Sequence, residues 1–171
     1  MRNIEIKARY TDFAFARKCV RQEGGNHHST MQQSDVYFRV VNGRLKLRYL
    51  EKDIGYLVYY ERDDNPEPRA SEYYIYDTKR PAELQHLLSA AHGILAKVNK
   101  RREVYLIDNV RVHLDEVEGL GQFIEFEAVM DSKSHTDAEI AKIETLIVRF
   151  RIDRKNLLSQ SYLDMVLARE V

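Results

Sequence analysis

Several common classes of protein are excluded by what this chain lacks. It holds a single cysteine, Cys19, in 171 residues; this rules out an intrachain disulfide framework and any cysteine-based zinc cluster, and it fits a reducing compartment. Neither sign of charge is in excess, because 27 Lys and Arg balance 27 Asp and Glu. A nucleic-acid-binding domain typically has a pI above about 9, so duplex DNA is not expected as a partner. No segment approaches the ~18 apolar residues of a membrane span. The first residues, Met1 to Glu5, carry charge where a secretion signal would be apolar, so the expectation is a cytoplasmic chain starting at Met1, with no membrane and no nucleic acid bound. Glycine is sparse, at seven residues. The sequence contains no G-x-x-x-x-G-K-[ST], and Gly119-x-Gly121 lacks the third glycine of a dinucleotide loop, so any phosphate must be held by side chains.

What is present is an ordinary globular composition, 44% hydrophobic and 32% charged, with strongly patterned segments. Residues 3 to 10 read as a strand. A helix follows with Asp12 as N-cap, Phe13, Ala16 and Val20 on one face and Gly24-Gly25 as its stop. Strands at Asp35 to Val41 and Arg44 to Leu50 are joined by Asn42-Gly43, the pair suited to a two-residue type I′ turn. Another strand, Tyr56 to Arg62, runs into the charged turn Asp63 to Pro68. After that the pattern restarts: strand Ser71 to Asp77, then a helix from Pro81 with Leu84, Leu87, Leu88 and Ala91 on one side and Gly93 at its end. Strands at 97 to 107, 109 to 116 and 121 to 129 follow, and a helix over Asp137 to Arg149 buries Ile140, Ile143 and Ile147 along with Phe150. Val36-Tyr37-Phe38 echoes in Val104-Tyr105-Leu106, which suggests two related halves, about 1–68 and 69–171, in a single domain.

The polar side of these strands is unusual. Glu5 and Lys7 alternate with Ile4 and Ile6; Arg44, Lys46 and Arg48 alternate with Leu45 and Leu47; Glu125 and Glu127 flank Phe126. Arg62, Lys100, Arg102, Arg111, His113 and Asp115 fall on the same side of their own strands. A solvated face would mix in Ser, Thr and Gln, whereas three cations stacked on one strand repel each other. Eight basic positions against four acidic ones make sense if the strands close into a barrel with a charged interior and helices outside. The ligand is then a compact polyanion. Arg and Lys would grip phosphate oxygens, and the carboxylates Glu5, Asp115, Glu125 and Glu127 suit Mg²⁺ shared with a substrate phosphate.

The same residues resemble the motifs of the CYTH superfamily, the triphosphate tunnel metalloenzymes, and within it the class IV adenylyl cyclase branch. Asn3-Ile4-Glu5-Ile6-Lys7 is similar to the family's E-x-E-x-K, with its first acid replaced by Asn3. Gly43 to Arg48 resembles the basic second motif. Lys100-Arg101-Arg102 matches the K-x-R strand, and Arg111 to Asp115, Gly119-Leu120-Gly121-x-Phe123 and Glu125-Phe126-Glu127 match the late acidic block. Ser161-Tyr162-x-Asp164 resembles the carboxy-terminal motif. The resemblance implies an eight-stranded antiparallel barrel with helices on the outside, an α+β fold. It implies that Lys7, Arg44, Lys46, Arg48, Arg62, Lys100, Arg102 and Arg111 hold a triphosphate, with Lys7, Lys46 and Arg102 catalytic, and that Glu5, Asp115, Glu125 and Glu127 hold Mg²⁺ or Mn²⁺. The implied reaction is cyclisation of ATP to cyclic AMP and pyrophosphate. The alternatives are hydrolysis of inorganic or thiamine triphosphate, or a non-catalytic polyphosphate or nucleotide-binding module whose turnover Asn3→Glu would restore.

Other candidates carry less chemistry. His27 and His28 read as a solvated loop, His113 as a histidine on the charged face, Cys19 as a small buried side chain beside the first helix's apolar stripe, and Tyr162 and Asp164 as a tunnel cap or a carboxy-terminal anchor. Tyr73, Tyr74 and Tyr76 offer an alternative reading as a contact surface, and a homodimer is left open.

Overall fold

The computed structural model describes residues 2–51 and 54–169; Met1, the expected start of the chain, lies outside them. Among the described residues eight strands, β1 (Arg2–Arg9), β2 (Asn26–Phe38), β3 (Arg44–Glu51), β4 (Ile54–Arg62), β5 (Arg69–Thr78), β6 (Ile94–Ile107), β7 (Val110–Val117) and β8 (Gly121–Met130), close into an antiparallel barrel. Its order is β1-β5-β4-β3-β2-β6-β7-β8, with β8 returning to β1. Exchanging β1–β4 for β5–β8 leaves every neighbour relation unchanged, so the barrel has a pseudo-two-fold topology.

Four helices cover the outside: α1 (Phe13–Gln22), α2 (Pro81–His92), α3 (Thr136–Arg149) and α4 (Tyr162–Leu167). The Asp12 side chain accepts from the Phe15 N–H, an N-cap that satisfies one of the free donors of the first turn of α1. The apolar alternation of β1, β7 and β8 points outward, and α1 and α3 bury Ile4, Ile6, Val112, Ile124 and Phe126 against Phe13, Val20, Ile143 and Phe150. On the opposite side α2 lays Leu88 on Val36, Phe38 and Leu47. A third apolar cluster joins α4 to one end of the barrel, where Leu163 and Met165 pack with Val98, Val117 and Phe123. Among the described residues, no helix is long and apolar enough to cross a membrane.

The structure departs from the sequence pattern in four places. β2 begins nine residues before Asp35, because residues 26 to 34 pair with β6 through backbone hydrogen bonds despite having no apolar alternation. His27 and His28 therefore lie on a strand rather than in a loop, exposed, with His27 edge-on to Tyr105. The β2–β3 connection is wider than a two-residue turn: the Arg39 N–H bonds Gly93 O, Val41 is fully exposed, and pairing ends at Phe38 with Leu45. Gly43 is required there, with φ at 65° and the Tyr59 hydroxyl 2.7 Å from where a Cβ would stand. Leu87 faces solvent instead of the core, and Tyr73 points into the barrel while Tyr74 and Tyr76 are exposed outside.

Candidate functional site

Closing the barrel turns the charged face of each strand inward around a cavity of ≈ 490 Å³. Of the residues expected to hold substrate or metal, Glu5, Lys7, Lys46, Arg48, Arg62, Lys100, Arg102, Arg111, Glu125 and Glu127 line it. Arg44 does not: it is drawn to Asp64 at 3.1 Å and to Asp164 of α4 at 3.0 Å, outside the main cavity. Asp115 is fully buried behind the lining.

The cations are organised by two aspartates. Asp35 of β2, which sequence reasoning missed, accepts from Lys46 Nζ at 3.0 Å and from Arg48 Nε at 2.8 Å, both on β3. Asp115 of β7 accepts from Lys100 Nζ at 3.2 Å and Arg102 Nε at 2.6 Å, both on β6, and from the Tyr162 hydroxyl at 2.9 Å. Unlike Glu5, Glu125 and Glu127, Asp115 does not line the cavity, so its oxygens do not face the space a metal would share with a phosphate. The in-phase alternation of Asp35 with Tyr37 was the available signal for the first cluster; which cations it would meet depended on β2 lying against β3.

Burial opposes ionisation of both aspartates, but Arg48 and Lys46 hold Asp35 well below the usual carboxylate range, and Arg102 and Lys100 bring Asp115 down to about 2. The lysines respond oppositely. Burial, then Arg48, lowers Lys46 to about 7, and burial, then Arg102, lowers Lys100 to about 8. Lys46 is further disfavoured by Lys100, and Lys100 by Arg48, so the two clusters approach closely enough to repel. Such an arrangement is costly without a counter-ion and is relieved by a polyanion.

The carboxylates occupy the adjoining wall. Glu125 pairs with Lys7 at 3.1 Å and also accepts from Arg102. Burial works against its charge, but Lys7 and Arg102 keep it well below the ordinary range. His113 sits 3.4 Å from Glu125 and 3.8 Å from Glu127, and burial, then Arg102, lowers its pKa. Glu5 accepts from Arg62 at 2.6 Å and faces Arg69, the buried first residue of β5, which the sequence pattern left between the turn ending at Pro68 and the strand starting at Ser71.

Asn3 tests the fit of a metal. Its amide nitrogen donates to Glu127, which leaves Oδ1 buried without a hydrogen-bond partner among the described residues, next to the register-paired Glu5 and Glu127. Carboxylate and amide oxygens suit a hard divalent cation. Among the described residues no three His, Cys, Asp or Glu side chains converge as a metal shell, because Glu5 and Glu125 are closed onto Arg62, Lys7 and Arg102. Phosphate oxygens would have to draw those cations away and complete the shell.

One end of the cavity is sealed by α4. Tyr162 lies under Lys7, whose ammonium is 3.7 Å from the ring centroid. Ser161 and Asp164 form a reciprocal capping box, and Asp164 also holds Arg44. Tyr162 thus lines the cavity, while Asp164 caps its own helix and ties it to Arg44 on β3.

A closed antiparallel barrel with a charged, dead-ended lumen defines a β-tunnel protein. The CYTH domain model matches residues 1–162, so the chain belongs to the CYTH family, whose members are generally enzymes that act on triphosphates with divalent metals. It is 22% identical over 172 aligned positions to "Putative adenylate cyclase MJ0240" of Methanocaldococcus jannaschii, covering 96% of this chain and 98% of that one. The fold is shared with PH1012 of Pyrococcus horikoshii, at TM-score 0.84 and 22% identity over 95% of this chain and 98% of the other. It is also shared with HpAC1 of Hippeastrum, described as a "putative adenylyl cyclase" that reveals a dominant triphosphatase activity, at TM-score 0.70 and 16% identity over 99% and 97%.

Proposed function

We propose that the chain is a divalent-metal-dependent enzyme that acts on a triphosphate held in the tunnel, with ATP as substrate and cyclic AMP and pyrophosphate as products, in the manner of class IV adenylyl cyclases. The observation that carries the reading is the pair of buried Asp-centred clusters, which aim Lys46, Arg48, Lys100 and Arg102 into one lumen beside a wall of carboxylates. The ribose 3′ oxygen attacks the α-phosphorus, the bond to the bridging oxygen breaks, and negative charge collects on pyrophosphate. Once the phosphate chain has drawn Lys7, Arg62 and Arg102 off Glu5 and Glu125, these cations, with Lys46, Arg48, Lys100 and Arg111, would surround the oxygens on which that charge develops. Glu5, Glu125, Glu127 and Asn3 Oδ1 would hold Mg²⁺ or Mn²⁺, which would supply further neutralisation of phosphate oxygens. The reading makes the protein a cytoplasmic single domain with a small-molecule partner and no nucleic acid or membrane.

Hydrolysis of a triphosphate by water is the second reading. Asn3, where the family pattern has an acid, favours it by weakening the metal arrangement, and so does the triphosphatase activity named for HpAC1. One assay separates them: purified protein with ATP, inorganic triphosphate and thiamine triphosphate, each with Mg²⁺ and Mn²⁺. Cyclic AMP with pyrophosphate is the expected result. Orthophosphate without cyclic AMP selects the hydrolase, and binding without product selects a non-catalytic module that Asn3→Glu should reactivate.

A further inference from the structure

The lining of the tunnel changes along its length. Because neighbouring strands are antiparallel, moving away from α4 runs forward on β3 and β6 and backward on β2 and β4. In that direction, on the wall formed by β2, β3, β4 and β6, Arg48 gives way to Leu50, Arg102 to Val104 and Leu106, Asp35 to Met31, and Tyr60 to Val58, all of them facing the cavity apart from Asp35, while the wall of β1, β7 and β8 stays polar to the same depth with Asn3, Arg111 and Glu127. A bare triphosphate has no apolar surface to place there.

Gln33 stands at the border, between Asp35 and Met31 on the inward side of β2. It is buried, at 6% exposure, and lines the cavity. Its Nε2 donates to Met31 Sδ at 3.0 Å. A thioether sulfur can only accept, so this contact fixes the amide's orientation. Oε1 is then left buried with no hydrogen-bond partner among the described residues. Lys100, the residue paired with Gln33 across β6, directs its ammonium to Asp115 instead. A buried acceptor without a donor is costly, and one on a side chain that lines a cavity marks a place where a ligand donor can be taken up.

The chemistry of that donor is restricted. An ionised triphosphate presents acceptors only and cannot satisfy Oε1. A bound cation is disfavoured by Lys100, next to Gln33, and by the nearby Arg48 and Arg102. We infer that Gln33 is a specificity-determining residue that accepts a hydrogen bond from a hydroxyl or N–H group of an organic moiety attached to the phosphate chain. The phosphate chain therefore carries an organic group with a donor, and that group lies against the apolar wall of β2, β3, β4 and β6. This rests on the triphosphate reading above and adds which end of the substrate is read, and by what.

Calorimetric titration of wild type and Gln33→Leu with ATP and, separately, with inorganic tripolyphosphate, both with Mg²⁺, tests it. Losing one hydrogen bond from the organic moiety should weaken ATP binding by about tenfold and leave tripolyphosphate within about twofold. Equal effects on the two ligands, or none on either, would overturn the role of Gln33 while leaving the triphosphate reading intact. Failure of the wild type to bind either ligand removes the triphosphate reading itself, and the inference with it. The melting temperature of Gln33→Leu reports folding; Gln33→Met, with a side chain of the same reach, replaces it if the leucine variant does not fold.

Discussion

Asp35 and Asp115 gather the same pair of cations, yet they are placed differently. The pseudo-two-fold exchange carries β2 onto β6 and β3 onto β7. Asp35 sits on β2 with Lys46 and Arg48 opposite on β3, whereas Asp115 sits on β7 with Lys100 and Arg102 on β6, so acid and Lys-x-Arg pair have traded strands between the halves. The Asp115 cluster also continues outward: Tyr162 caps it, and Arg102 reaches Glu125, which holds Lys7. Asp35 ends at its two cations. Lys100 accordingly feels two acids, Asp115 and Glu125, whereas Asp35 is the acid that supports Lys46. The cluster joined to the carboxylate wall is internally compensated. The free-standing one has more to gain from an incoming polyanion.

The largest expected effect comes from removing either acid. Asp115→Asn strands two buried cations and a tyrosine hydroxyl, and Asp35→Asn strands two cations; each should cost about 3–5 kcal/mol of stability in urea denaturation, with Asp115 the worse. Tripolyphosphate should recover part of the loss in both variants. Equal losses that ligand does not recover would break the comparison.

Next in size, Lys46→Met and Lys100→Met should each weaken tripolyphosphate binding by about 1.5–3 kcal/mol, the range for a charge-assisted hydrogen bond. Calorimetry would show the greater loss at Lys46 if its cluster is the less compensated.

The pH dependence has a definite sign. Lys46 falls from an ordinary 10.5 to about 7 in the folded, ligand-free protein. Between those values the unfolded chain binds the extra proton, so stability should rise as pH rises from about 7 to about 10.5. Lys46→Met should flatten that rise. Tripolyphosphate binding at pH 8 should take up a proton, seen as a dependence of binding heat on the buffer's ionisation enthalpy, and this uptake should shrink in the same variant.

The smallest change expected is at the carboxylate wall, which meets the Asp115 cluster alone. Asn3→Asp adds a charged oxygen and should tighten Mn²⁺ binding by about tenfold, followed by the paramagnetic resonance of free Mn²⁺, whereas Glu125→Gln/Glu127→Gln should weaken it. An unchanged titration in the double variant would remove those carboxylates as ligands.

The period-two alternation in Glu5-Ile6-Lys7, Lys46-Leu47-Arg48 and Glu125-Phe126-Glu127 was enough to read strands with a charged side and an apolar side. It holds because successive side chains on a strand must point to opposite faces whatever the rest of the chain does. Partners could not be read the same way. Asn26 to Ser34 carry no apolar alternation, and they became strand through backbone pairing with β6. Gln33 acquired its position between clamp and mouth from that pairing, Arg44 was captured by Asp164, 120 positions away, and Asn3 met Glu127 because closure set β1 beside β8. Local sterics thus determined which residues would face the lumen. Closure of the barrel decided which charges touch, because it joins strands that the order of residues leaves far apart and electrostatic energy depends on the distance between groups.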